Sequence, residues 1–80
     1  MNLCRAIALR ITNLLIKNNI TRYALCIKIG MPHQTLKNII DERNNDIQIS
    51  TIAKIADGFD LSIEQFFNDT LFSRENLDIN

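Results

Sequence analysis

At 80 residues, 46% of them apolar and with a formal net charge of zero, the chain is expected to fold as a single domain around one modest core. Few aromatics, two glycines and one proline favour an all-α bundle over a sheet protein, and Arg10, Lys17 and Arg22 interrupt every apolar run before it reaches the ~20 residues that a membrane span needs. The first residues also lack the unbroken apolar stretch of a secretion signal, so a cytoplasmic protein is expected, with Cys4 and Cys26 as reduced core thiols.

Leu3, Ile7, Ile11, Leu14 and Leu15 recur at three- and four-residue intervals, which predicts an amphipathic first helix over residues 3–18, stopped by Asn18 and Asn19. From Thr21 to Ile40 (TRYALCIKIGMPHQTLKNII) the chain reads as two short helices hinged at Gly30. Thr21 stands where a side-chain oxygen caps the first free N–H groups, and Ala24, Leu25, Lys28 and Ile29 keep helical spacing behind it. Gly30 ends that helix because glycine takes the left-handed conformation at little cost. Pro32 is expected in the first turn of the next helix, where a fixed φ is suitable and a missing N–H leaves no bond unmade. The turn from Gly30 to Pro32 then has the short length that a helix-turn-helix uses. Turning ~100° per residue from Gln34 puts Lys37, Asn38 and Asp41 within about 60° of it, with Leu36, Ile39 and Ile40 on the opposite side. One face belongs to the core, and the other, made of amide, imidazole and one lysine, has the outline of a DNA reader.

Asp41 to Gln48 (DERNNDIQ) is a polar loop without glycine. A fourth helix is predicted from about Ser50 to Phe59, with Ile52, Ile55, Ala56 and Phe59 facing inward. Gly58 inside it costs roughly 1 kcal/mol against alanine, which points to close packing against another helix. Ser62-Ile63-Glu64-Gln65 matches a capping box into a short fifth helix ending near Phe67, with Phe66 and Phe67 closing the core. Residues 1–69 thus form the domain. Residues 70–80 have no sustained period, yet Leu71, Phe72, Leu77 and Ile79 make them apolar enough to complete a homodimer or to meet another protein.

The zero net charge hides an asymmetry. Residues 1–40 carry Arg5, Arg10, Lys17, Arg22, Lys28 and Lys37 and no acid, whereas residues 41–80 carry three bases and nine acids. That is the distribution of a chain whose first half meets phosphate. No paired Cys and His, glycine-rich phosphate loop or acid pair suggests an enzyme, and neither a cofactor nor a metal is expected, since lone His33 has no partner at ligand spacing. Tyr23 is expected to pack or to touch a DNA backbone.

The order and spacing of several short features resemble the family of lambdoid phage repressors and Cro proteins and their bacterial regulator relatives. They are Thr21 followed by a polar residue, Leu25 followed by small Cys26, Gly30 five after Leu25, Thr35-Leu36 with Ile39, Ile55-Ala56, Leu61-Ser62 and Phe66-Phe67. The resemblance spans roughly Arg5 to Asp69 and implies a five-helix, lambda-repressor-like fold in which helices two and three form the helix-turn-helix. It implies a sequence-specific regulator whose third helix enters the major groove of double-stranded DNA, working as a homodimer. Laid onto this chain, it makes His33, Gln34, Lys37 and Asn38 the base readers. Gln34 is matched to adenine, Lys37 to guanine O6 and N7, and Asn38 to adenine. Thr21, Arg22, Thr35 and Arg43 become phosphate contacts that set register, Arg22 standing where relatives usually have glutamine. If His33 meets phosphate, binding strengthens as pH falls through about 6.5. The chain departs from the family at Pro32, in place of the usual polar cap, and in the glycine-free loop. Asp41 and Glu42 there repel phosphate unless turned aside or paired with Arg43 or another base. An antitoxin-like interaction module with secondary DNA binding is the alternative, favoured by the apolar tail.

Overall fold

The computed structural model describes residues 1–78. They contain five α-helices, α1 (Leu3–Asn18), α2 (Arg22–Ile29), α3 (His33–Ile40), α4 (Ile49–Gly58) and α5 (Ile63–Phe67), followed by a 3₁₀ turn at Thr70–Phe72. α1 packs on α3 and on the 3₁₀ turn, α2 on α3 and α4, and α4 on α5. The expected helix-turn-helix is therefore α2 and α3, held between α1 and α4.

Side chains start three of the helices. Asn2 accepts from the Arg5 N–H at 2.8 Å and Thr21 from the Ala24 N–H at 3.0 Å. Ser62 Oγ accepts from the Gln65 N–H at 3.1 Å, while Gln65 Oε1 accepts from the Ser62 N–H at 2.9 Å, which is the full capping box. Pro32 differs from expectation. It precedes α3 as its N-cap, with φ −59° and an extended ψ of 136°, and no side chain caps that helix. The ring fixes φ and leaves ψ free, so the extended ψ carries the chain out of the Gly30 turn before the helix begins. α4 likewise opens one residue earlier than expected, at Ile49, behind an uncapped Gln48.

The first four helices end alike. Asn19, Gly30, Glu42 and Asp60 all have positive φ, from 52° to 65°, and the N–H groups there and at the next residue turn back to the last helical carbonyls. After α3, for instance, the Glu42 and Arg43 N–H groups reach the Ile39 and Asn38 carbonyls at 3.1 and 2.9 Å. The loop manages without glycine because Glu42 itself takes the left-handed conformation, against the steric preference of an L-residue.

Ile7, Ile11 and Leu14 of α1, Leu25 of α2, Leu36 and Ile39 of α3, Ile52 and Ile55 of α4 and Phe66 of α5 form one buried cluster. Burying each such side chain contributes roughly 1.5–3 kcal/mol. Leu3, expected in the first helix's apolar stripe, stands outside it, 45% exposed at the open first turn of α1, and Ala24 is exposed, so α2 presents the face of Leu25, Cys26 and Ile29. Cys26 is buried, which pushes its thiol above the ordinary range. Cys4 is only half-buried, its Sγ 3.5 Å from the Asn45 carbonyl oxygen, and neither cysteine is in a disulfide.

Gly58 has the close packing expected of it. A Cβ at this position would stand 2.6 Å from Ile29 Cγ2 and 2.7 Å from Leu25 Cδ1. Gly58→Ala is therefore expected to destabilise the fold by about 1–2 kcal/mol, since overpacking outweighs the gain in helix propensity; a rise in the urea midpoint would contradict this.

Beyond α5, Phe72 packs against Phe67 and Phe66, with ring centroids 4.8 and 6.2 Å apart. Asp69 accepts from the Leu71 N–H, Asn76 donates to the Thr70 carbonyl at 2.7 Å, and the Asp78 N–H donates to the Met1 carbonyl at 2.8 Å. Part of the apolar surface of residues 70–80 thus joins the core, and Ile79 lies outside the described residues. Among the described residues no helix is long and apolar enough to cross a membrane.

Candidate nucleic-acid interface

Burial of Leu36 and Ile39 orients α3. His33 and Gln34 are exposed on its outer side, and Thr35, Lys37 and Asn38 are half-buried. Two bonds organise this face. Gln34 Nε2 donates to Asn38 Oδ1 at 2.8 Å, and Lys37 Nζ donates to Asp41 Oδ2 at 2.7 Å. Both join residues four apart, the spacing at which helical side chains meet.

Asp41 is the electrostatic centre of the edge. The hydrogen bond from Lys37 holds its carboxyl below the usual carboxylate range; desolvation opposes this, and the positive charges of Lys37, then Arg43, then Arg22 add to the lowering. Lys37 is the cation in contact with this carboxylate, while Arg43 from the following loop and Arg22 from the start of α2 act on it through their charge alone. Thr21 adjoins Arg22 and caps α2 through its side-chain oxygen. The acid expected to repel DNA is paired, and its partner is Lys37 rather than Arg43. Glu42 is paired as well, with Arg5 at 3.2 Å.

Part of the first-half charge is engaged within the fold. All five ion pairs among the described residues join a cation from residues 1–40 to an acid from residues 41–78, and four of the six first-half bases take part. Lys28, for example, lies 3.8 Å from Asp60 while donating to the Gly58 carbonyl at 2.8 Å. Arg5, Arg10, Lys28 and the N-terminal amine thus tie the N-terminal helices to segments distant in sequence, whereas Lys37 pairs locally at the end of its own helix. Among the described residues, Lys17 and Arg22 are the first-half bases that form no ion pair. Tyr23 is 66% exposed on α2, so it does not serve packing.

The pairing within α3 escaped the sequence reading, although the signal was present. Gln34 with Asn38 and Lys37 with Asp41 are neighbours on the same helical projection that separated the two faces.

A polar outer face, a three-residue turn and a buried inner face define the motif, and a comparison of families fixes its kind. The family model of the Cro/C1-type HTH DNA-binding domain matches residues 10–70, from the middle of α1 to the start of the 3₁₀ turn. The chain belongs to this family. No curated protein and no solved structure gives a significant match. As a Cro/C1-type domain the protein is a DNA-binding regulator, and domains of this family are in general not enzymes.

Proposed function

We propose that this chain is a sequence-specific, double-stranded DNA-binding transcriptional regulator that lays α3 in the major groove. It acts as a homodimer on a near-palindromic site with half-sites about one helical turn apart. The observation that carries the reading is the outer face of α3 in a Cro/C1-type domain, where His33 and Gln34 are exposed and Lys37 and Asn38 stand half-buried beside them, opposite buried Leu36 and Ile39. His33, Gln34, Lys37 and Asn38 meet base edges. Thr21, Arg22, Thr35 and Arg43 meet phosphates, the Thr21 hydroxyl still having its proton to donate while its oxygen caps α2.

Selection of bound sites from random duplex, followed by titration at several salt concentrations, tests it. Affinity for the selected duplex is expected to fall steeply with salt. Arg22→Ala should weaken all sequences about equally and lower the salt slope by about 1, whereas Gln34→Ala should relax preference at its own contact by ~1–3 kcal/mol. Binding that ignores salt, or no binding, refutes the proposal. The dimer is read from solution mass. A chain ending at Ser73 keeps Phe72 in the core, so dimer loss on that truncation assigns the interface to residues 74–80, and dimer retention assigns it to the helices.

A further inference from the structure

Tyr23 is the second residue of α2, directly after Arg22 and the capping Thr21, and it belongs neither to the core cluster nor to the aromatic contacts around Phe66. Its place around the helix decides what it can meet. α4 packs on the side of Leu25, Lys28 and Ile29: Leu25 and Ile29 close on Gly58, and Lys28 Nζ donates to the Gly58 carbonyl. At ~100° per residue Tyr23 lies roughly 160°, 140° and 120° from Leu25, Lys28 and Ile29, so it is turned away from α4. It lies about 100° from Arg22, whose charge acts on Asp41 at the end of α3. A helical side chain also leans toward the start of its helix and covers the turn before its own Cα. The ring is thereby carried toward the end of α2 that holds Thr21 and Arg22. In a helix-turn-helix the first helix crosses the DNA backbone while the second enters the groove. A group at this end of α2 therefore meets phosphate and sugar, not base edges.

Resting on the DNA-reading proposal above, we propose that Tyr23 is a further phosphate contact, donating its phenolic O–H beside the Arg22 guanidinium. Tyrosine is among the side chains that hydrogen-bond phosphate oxygens, and its ring, with two side-chain torsions, is held at a lower entropic cost than a lysine. The two neighbours differ in charge. Arg22 neutralises a phosphate and releases counterions, so its contribution fades as salt rises, whereas the neutral phenol releases none. Tyr23 thus supplies affinity that persists where the charged contacts weaken, and supplies it to every sequence alike.

Titration of the full chain, Tyr23→Phe, Tyr23→Ala and Arg22→Ala against the selected duplex and an unrelated one, at several salt concentrations, tests the contact. Both side chains are exposed, and far-UV circular dichroism verifies that each variant is folded. Tyr23→Phe is expected to weaken binding to both duplexes about five- to tenfold, the loss of one hydrogen bond to a charged group, and to leave the salt slope unchanged. Arg22→Ala lowers that slope by about 1. Tyr23→Ala should match Tyr23→Phe within about twofold, because the hydroxyl and not the ring makes the contact. Affinity that Tyr23→Phe leaves within about twofold of the unsubstituted chain, or a loss confined to the selected duplex, overturns the phosphate contact while leaving DNA reading intact. Salt-insensitive binding by the unsubstituted chain, or no binding to any duplex, overturns both.

Discussion

Replacing Arg10 by alanine is expected to destabilise the protein by about 2–4 kcal/mol, which for a domain of this size lowers the melting temperature by roughly 10–25 °C. The side chain is only 13% exposed and its guanidinium binds three acceptors at once. Nε donates to the Phe66 carbonyl at 2.7 Å, Nη2 to the Gln65 carbonyl at 3.0 Å, and Nη1 to Asp69 Oδ2 at 3.3 Å. Two of these are carbonyls at the end of α5, a five-residue helix that cannot satisfy them internally. The third orients Asp69, whose other oxygen accepts from the Leu71 N–H and so starts the turn that brings Phe72 onto Phe67. Losing Arg10 therefore loosens the α5 end, the 3₁₀ turn and the aromatic cluster together. Arg10→Lys should recover less than half of the loss, since a single ammonium cannot reproduce the planar fork. Thermal melts of the three proteins check this, and an alanine variant that melts within about 3 °C of the unsubstituted chain would show that the clamp is dispensable.

Arg10 also shows where the sequence is legible. The five helices are visible because each buried stripe repeats at helical spacing and most termini carry local signals: Thr21, Gly30 and the Ser62 capping box depend only on near neighbours. Leu36 and Ile39 can be assigned to the core, and Gln34 to the outside, by the same periodicity. A cation's partner, by contrast, is decided by contacts distant in sequence. Arg10 meets groups 55 to 59 residues away and Arg5 meets Glu42, so a count of bases in the first half cannot distinguish charge offered to phosphate from charge neutralised by the fold. Pro32 illustrates a subtler limit. Proline constrains φ but not ψ, and whether it stands just inside or just outside a helix depends on how the Gly30 turn must leave α2. Glu42 in the left-handed region is equally silent in sequence, because glutamate there carries no signature.

Asp41→Asn is expected to tighten binding to the selected duplex about tenfold at ~0.1 M salt and to steepen the salt dependence by about one phosphate contact. In the free protein the Lys37 ammonium lies 2.7 Å from Asp41, so on the proposed reading binding must first exchange that carboxylate for a contact to DNA and then hold the displaced negative charge close to the DNA backbone. The amide keeps the size of the side chain and the backbone role at the end of α3, while removing both obstacles. The pH dependence follows from the lowered carboxyl. A group depressed on folding contributes stability that is present above its ordinary value and is lost as pH falls through the folded one, so Asp41 stays ionised across the neutral range and the variant's advantage should be constant between about pH 6 and 8. Glu42→Gln removes the same charge but releases the exposed Arg5 on α1 instead of Lys37, and should tighten binding less. Titrating the three proteins at several salt concentrations separates the two effects. Equal gains for both variants would mean that net charge alone sets affinity, whereas a steeper slope confined to Asp41→Asn identifies Lys37 as a phosphate or base contact that the free protein holds in reserve.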